Sequence, residues 1–357
     1  MAAAKKKVVV VGGGVAGSLL AHGLENDADV TLVDPKDFFE VPYSQLRSTV
    51  EPSFADRSLV LHTDYLKKAK FVQASAVKAT ESELTTDTGE IIPFDFLVVT
   101  TGTTFRGVKT KAERLQQFEA DHKKIVESQN ILIIGGGPVG VELAGEILQD
   151  FPKKKVTLIH SGDRLIQFLG PKASEKAEKW LKTKGAEVIL NDRVEIEGLA
   201  PPTYVTKGQK QIKADAHFVA VGKKLGSDWL LESPILKDKV TNEGRLQVEG
   251  TCLVTGLTNV FAAGDITDFK EIKQGFTAAN HVATIISNIK KLTKNPADKK
   301  LVVYKALEKP FGIVSLGRVD AVAQLPFATI IGWVPGKLKS KDLFVGKARG
   351  DLGIKAK

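Results

Sequence analysis

Cysteine is nearly absent: Cys252 is the single one among 357 residues. One cysteine excludes an internal disulfide and, with it, a redox-active dithiol pair. Long hydrophobic runs are missing as well, since no apolar stretch approaches the ~18 residues that a membrane-spanning helix needs. The N-terminus, MAAAKKK, has no signal-peptide apolar core, and Ala2 stands where N-myristoylation requires glycine. These absences point to a cytoplasmic protein without signal peptide, transmembrane helix or N-myristoylation site. At most it would rest on the surface of a membrane or lipid droplet. Acidic residues are the scarcer charge: 51 Lys and Arg against 42 Asp and Glu leave a formal net charge of +9. Such an excess suits a nucleotide, an anionic lipid or a nucleic acid, or is plain solvated lysine.

What is present is one device used twice. VVVVGGGVAGSLL (8–20) and ILIIGGGPVGVEL (131–143) are each a β-branched or aliphatic run that breaks into glycines and resumes with helical spacing. Gly12, Gly14 and Gly17 fit G-x-G-x-x-G, as do Gly135, Gly137 and Gly140. In that pattern the first glycine makes a tight turn, the second admits a pyrophosphate to backbone N–H groups, and the third lets helix pack on strand. The helix N-terminus adds positive potential for the anion. After the first loop, Asp34 ends the next strand at the spacing where a carboxylate accepts hydrogen bonds from ribose. After the second, the strand end carries His160 and Ser161, with Arg164 beyond, and no acid. A carboxylate there would repel a 2′-phosphate, so NADPH is expected to be tolerated and NADH also accepted. Arg164 is either a phosphate ligand or a plain surface arginine.

The surrounding pattern alternates strand and helix. Val8–Val11, Val15–Leu24 and Val30–Asp34 read as β-α-β; Ile131–Ile134, Val139–Gln149 and Lys155–His160 repeat it. Further strands are expected at Phe71–Val77, Leu84–Thr86, Phe94–Thr101, Glu187–Leu190, His217–Val221 and Val260–Ala263. Helices are expected at Gln116–Glu127, Ser174–Lys184 and Gly275–Lys290, and strands with turn glycines over 301–334. A third signature, TNVFAAGDITD (258–268), ends a buried strand in Gly264 and Asp265. Thr101-Gly102 and Gly222 follow strands as chain crossings or simple turns. The fold expected is α/β, with two Rossmann-like nucleotide-binding domains and a small C-terminal α+β segment. Residues 1–113 and 248–296 would form the first domain, 114–247 the second, and 297–357 the C-terminal unit.

The order GGGVAG, Asp34, TTG, GGGPVG and AAGD resembles the two-dinucleotide-binding-domain flavoproteins, which are glutathione-reductase-like in architecture. VTLIHS (156–161), GVELAGEI (140–147), SLGRVDAVAQ (315–324) and LKSKDLFVG (338–346) resemble the ferroptosis-suppressor and apoptosis-inducing-factor-like family, relatives of type II NADH dehydrogenases. The resemblance implies FAD on Gly12, Gly13, Gly14, Val15, Ala16, Gly17, Asp34 and Asp265, and NADH or NADPH on Gly135, Gly137 and Gly140. It puts Glu142 near the nicotinamide, against the alternative of a helix-dipole carboxylate, and Lys273 with the helix from Gln274 at the flavin edge. It implies an NAD(P)H:quinone oxidoreductase in which hydride reaches the flavin and two electrons pass to ubiquinone or vitamin K, regenerating a lipophilic antioxidant. Its animal members begin with a myristoylated glycine, which Ala2 does not supply. Phe327–Trp333 would then be an apolar lip, or a dimer interface or core segment. Lys337, Lys339, Lys341, Lys347 and Arg349 would face anionic head groups. Two other readings stay open: a reductase of monodehydroascorbate or an electron-carrier protein, and a nucleic-acid-binding flavoprotein. The composition supplies no aromatic-and-basic platform for the latter. No metal site is expected.

Overall fold

In the computed structural model, which describes residues 4–104, 107–222 and 224–355, KVVVV (Lys7–Val11) is the middle strand of a five-stranded parallel sheet. Its four valines are almost completely buried, as expected for a strand covered on both faces. Asp29–Val33 and Lys70–Val72 lie on one side of it; Phe96–Val99 and Val260–Ala262 lie on the other. The outermost strand therefore comes from far along the chain. A second parallel sheet of four strands runs Glu187–Ile189, Lys155–Ile159, Asn130–Ile134, Ala216–Val219. Each central strand feeds a glycine-loop helix, Val15–Leu24 in the first unit and Pro138–Asp150 in the second. This is the two-dinucleotide-binding-domain α/β architecture. Met1 and Ala2, on which the reading of the N-terminus rests, lie outside the described residues.

The two crossings between the units pair with each other. Thr104 N–H donates to Lys224 O and Gly226 N–H to Gly102 O, both at 2.8 Å, around an antiparallel bridge between Thr103 and Leu225.

Several elements depart from the sequence pattern for local reasons. The helix expected from Gln116 starts at Lys111, because Thr110 and Glu113 form a reciprocal capping box. Phe71–Val77 divides into Lys70–Val72 and Ala76–Ala79, where the chain turns over the first sheet's edge. Helix Gln45–Val50 falls in a stretch that gave no helical signal. The C-terminal unit holds an antiparallel sheet, Gly312–Leu316, Asp320–Gln324 and Thr329–Gly332, followed by two short helices, Trp333–Lys339 and Val345–Asp351. Among the described residues, no helix is long and apolar enough to cross a membrane.

Charge locks the three units together. Arg47, on Gln45–Val50, donates from Nε and Nη2 to Glu146 on the second glycine-loop helix, the Nη2 contact at 2.8 Å. Both side chains are 2% exposed. Arg318, from the turn of the C-terminal sheet, bridges Glu51 and Asp150 and approaches Glu146 at 3.8 Å. Burial raises the pKa of Glu146, while Arg47 and Arg318 oppose the rise. Removing one partner of such a pair leaves a buried charge uncompensated. Arg47→Met should therefore lower the unfolding free energy by about 3–5 kcal/mol, and the Arg47→Met/Glu146→Met double variant by clearly less. Urea denaturation of the three proteins measures this.

Candidate functional site

The two glycine loops have the same internal geometry. Gly12 takes φ +101° and Gly135 φ +119°, and a Cβ at either would meet the carbonyl of Thr100 or Ala220 at 2.6 or 2.5 Å. A Cβ at Gly17 would lie 1.7 Å from Gly12 O, and one at Gly140 1.8 Å from Gly135 O. Those four glycines are thus required by the scaffold itself. Gly14 and Gly137 differ: a Cβ there would meet nothing within 4 Å, so the space beside each is open. Thr100 ties the first loop down, its hydroxyl donating to Val11 O at 2.8 Å and Gly12 O at 2.7 Å.

Asp34 and His160 hold equivalent places. Asp34 Oδ2 accepts from Gly13 N–H, and Oδ1 accepts from Lys36 N–H at 2.7 Å. His160 Nδ1 accepts from Gly136 N–H at 3.2 Å. Burial raises the Asp34 pKa and lowers that of His160. Since Nδ1 accepts, the proton of the neutral imidazole sits on Nε2.

Over the first loop opens a cavity of about 820 Å³, within the range of small-molecule and cofactor sites. Gly12, Gly14, Val15, Ala16, Asp34, Thr101, Gly102, Gly264, Asp265, Lys273 and Gln274 line it, with Val139 from the second loop. Gly13 in the loop and Gly17 in the first turn of Val15–Leu24 are not among the lining residues. The open face at Gly14, the acceptor at Asp34 and the helix N-terminus suit an adenine dinucleotide. At the far end Lys273 Nζ donates to Phe269 O at 2.9 Å and Thr267 Oγ1 at 3.2 Å. Burial, helped by Arg245, lowers its pKa to about 8 against the pull of Glu271, Asp265 and Asp268. Gln274 caps the helix Gly275–Lys294, whose first turn faces the cavity.

A second, apolar chamber of about 190 Å³ adjoins the first. Val15, Pro42, Tyr43 and Gly275 border both spaces. Leu19, Phe39, Phe276 and Phe344 give the chamber its apolar wall, and Tyr43 packs edge-on against Phe344 at 5.5 Å.

Other expected residues are not among those that line the first cavity. Glu142 is buried and accepts from Lys339 Nζ at 2.5 Å and Ser315 N–H at 2.9 Å, both from the C-terminal unit. Arg164 donates through Nη1 to Leu169 O and Ser174 Oγ and through Nη2 to Gln167 O, bracing the loop after His160. Gly222 is exposed at the second crossing. The basic tail needs correction. Lys339 is buried on Glu142, and Arg349 is buried with its guanidinium on Arg57 O and Lys355 O. Neither can meet a head group; Lys337, Lys341 and Lys347 are the exposed ones. Phe327, Trp333 and Leu338 are 92%, 62% and 63% exposed, so this stretch is not a core segment of the chain. Cys252 is buried, and burial pushes its thiol up to about 12. Tyr43 carried no motif signal, because it becomes part of the site only through packing.

A sequence profile described as pyridine nucleotide-disulphide oxidoreductase matches residues 6–285. The chain belongs to that family. Apoptosis-inducing factor homolog B of Dictyostelium discoideum is 31% identical over 94% of this chain and 93% of its own. Ferroptosis suppressor protein 1 of Taeniopygia guttata is 31% identical over 95% and 94%. Among solved structures, the sulfide:quinone oxidoreductase of Aquifex aeolicus superposes with TM-score 0.78 at 20% identity, covering 97% of this chain and 92% of that one. NDH2 from Plasmodium falciparum in complex with NADH gives TM-score 0.71 at 14% identity over 98% and 97%. Pyridine nucleotide-disulphide oxidoreductases use FAD with NAD(P)H, and this chain is an FAD-dependent NAD(P)H oxidoreductase. With one cysteine it carries no dithiol of the kind the family name records.

The two kinds of loop glycine separate experimentally. Gly14→Ala should leave the apoprotein's melting temperature unchanged yet weaken FAD binding by about tenfold or more, since its methyl enters the space reserved for the pyrophosphate. Gly17→Ala should instead prevent stable folding. Calorimetry of apoprotein and flavin titration distinguish them.

Proposed function

We propose that this chain is an NAD(P)H:quinone oxidoreductase that keeps a lipophilic antioxidant reduced at a membrane surface. Bound FAD supplies a two-electron carrier between the reduced nicotinamide and the acceptor. The observation that carries the reading is the apolar chamber bordering the cofactor cavity across Val15, Tyr43 and Gly275. An apolar ring gains from entering it, and a charged or protein-sized acceptor does not.

The chain's own residues divide the work. The first loop and Asp34 hold the FAD adenosine and pyrophosphate. Lys273 and the N-terminus of Gly275–Lys294 put positive charge beside Asp265, where it stabilises negative charge on the cofactor. The second loop holds NAD(P)H, with His160 at the adenosine 2′ position. The lone buried cysteine offers no thiol relay, so the acceptor must come to the cofactor directly. Exposed Phe327, Trp333 and Leu338 form the lip. Lys309 and Lys337 lie 5.2 and 5.7 Å from the Phe327 and Trp333 ring centres. Two ammonium groups beside exposed apolar rings fit an anionic lipid surface, each charge contributing ~1 kcal/mol near it. Resemblance to the ferroptosis-suppressor relatives supports the antioxidant role.

Holoprotein given NADH or NADPH should reduce ubiquinone and menadione faster than oxygen or monodehydroascorbate. Ala279→Phe, which fills the chamber, should lower kcat/KM for quinone about tenfold with ferricyanide turnover unchanged. Steady-state kinetics in which quinone is no better than oxygen would remove the assignment.

His160 sets the choice of pyridine nucleotide. Because an imidazole stands where the first loop has the carboxylate of Asp34, no fixed negative charge opposes a 2′-phosphate. His160→Asp should raise KM for NADPH about tenfold or more and leave that for NADH nearly unchanged. Parallel KM measurements with the two nucleotides check it.

A further inference from the structure

Beneath the turn at Gly264–Asp265 runs a buried polar chain that neither glycine loop nor the apolar chamber uses. Gly264 takes φ +79° and donates its N–H to His281 Nδ1 at 3.1 Å. An accepting Nδ1 leaves the proton on Nε2, and Nε2 stands 2.9 Å from Glu271 Oε1. Glu271 Oε2 accepts from the Tyr304 hydroxyl and from Leu307 N–H at 3.3 Å. The His281 and Glu271 side chains are completely buried. The imidazole is held between the rings of Phe269 and Tyr304, at 4.9 and 4.5 Å.

The far end of this chain is the extended segment that leads into the C-terminal sheet. Tyr304 N–H donates to Gly250 O at 2.7 Å, and Asn288 clips Val302 through both its backbone groups. The same strap continues to Gly312–Leu316, where Ser315 N–H holds Glu142. Each bond has a fixed direction, so the chain has one arrangement, and a shift of the strap is felt at the turn.

We propose that His281, Glu271 and Tyr304 are positioning residues that fix the cofactor-facing turn Gly264–Asp265 and couple it to the C-terminal strap. They touch no substrate; they act by holding the N–H of Gly264 and, through it, the entry of Asp265 into the cavity. The inference depends on FAD occupying the first cavity and is independent of the identity of the acceptor.

The test compares wild type with Tyr304→Phe, His281→Asn and His281→Leu by FAD titration of apoprotein, redox titration of the bound flavin and its visible spectrum. Tyr304→Phe keeps the ring and the strap's backbone anchor and removes one hydrogen bond to a carboxylate. It should weaken FAD binding by about tenfold. It should also change the ratio of affinities for oxidised and reduced FAD; a tenfold change in that ratio is ~30 mV for a two-electron couple. His281→Asn, which retains an acceptor, should hold FAD better than His281→Leu, which retains none. Should His281→Leu fail to fold, Tyr304→Phe and His281→Asn decide the matter alone. Wild-type affinity, potential and spectrum in both would overturn the proposal, even with a lowered melting temperature, because packing alone would then explain the cluster. A wild-type apoprotein that takes up no FAD would overturn the occupancy on which it rests, and the wild-type titration alone separates that failure from the first.

Discussion

The second glycine-loop helix, Pro138–Asp150, is the post to which every other part is tied, and two carboxylates one turn apart do the tying. Glu146 takes the guanidinium of Arg47 from the first unit, and Glu142 takes the ammonium of Lys339 and the N–H of Ser315 from the third. Buried ions of this kind stabilise little in net terms, yet an unpaired one is strongly unfavourable. The consequence is orientation: alternative dockings of the units would strand a charge in an apolar core. The wall shared by the cofactor cavity and the apolar chamber belongs to the first unit, and this docking brings Phe344 of the C-terminal unit over the chamber's other side.

Within the frame, the two loops are copies with one exchanged part. In each, the N–H of the residue between the first two motif glycines, Gly13 or Gly136, donates to the side chain at the end of the next strand, a carboxylate at Asp34 and an imidazole at His160. The backbone cannot distinguish the two acceptors, so the scaffold is preserved while the local charge changes. The two otherwise similar clefts thereby acquire different tastes in ribose.

The glycine loops, Asp34 and the Gly264–Asp265 turn were legible in the sequence because their constraints are local. At Gly12 and Gly135 a positive φ together with a backbone carbonyl 2.6 or 2.5 Å from any Cβ dictates glycine. The ion pairs were not legible. Arg47 and Glu146 are 99 residues apart and Lys339 and Glu142 are 197 apart, and no spacing rule reaches that far. The sequence leaves Glu142 between helix dipole and nicotinamide, whereas its hydrogen-bond partners come from the C-terminal unit. The tail shows the same limit from the other side. Over 337–349 the sequence offers five cations but cannot tell that Lys339 and Arg349 turn inward. Helix Lys111–Glu127 was legible in kind but began early, because a capping box at Thr110 outweighs a polar start.

Cys252 is sealed in the core with its thiol held far from ionisation, and the only other sulfur atom of the chain belongs to Met1. Thiolates and thioethers are where peroxides and lipid-derived electrophiles attack proteins. With its one thiol closed to attack, the chain leaves electron transfer to the bound FAD and offers oxidants little sulfur to consume.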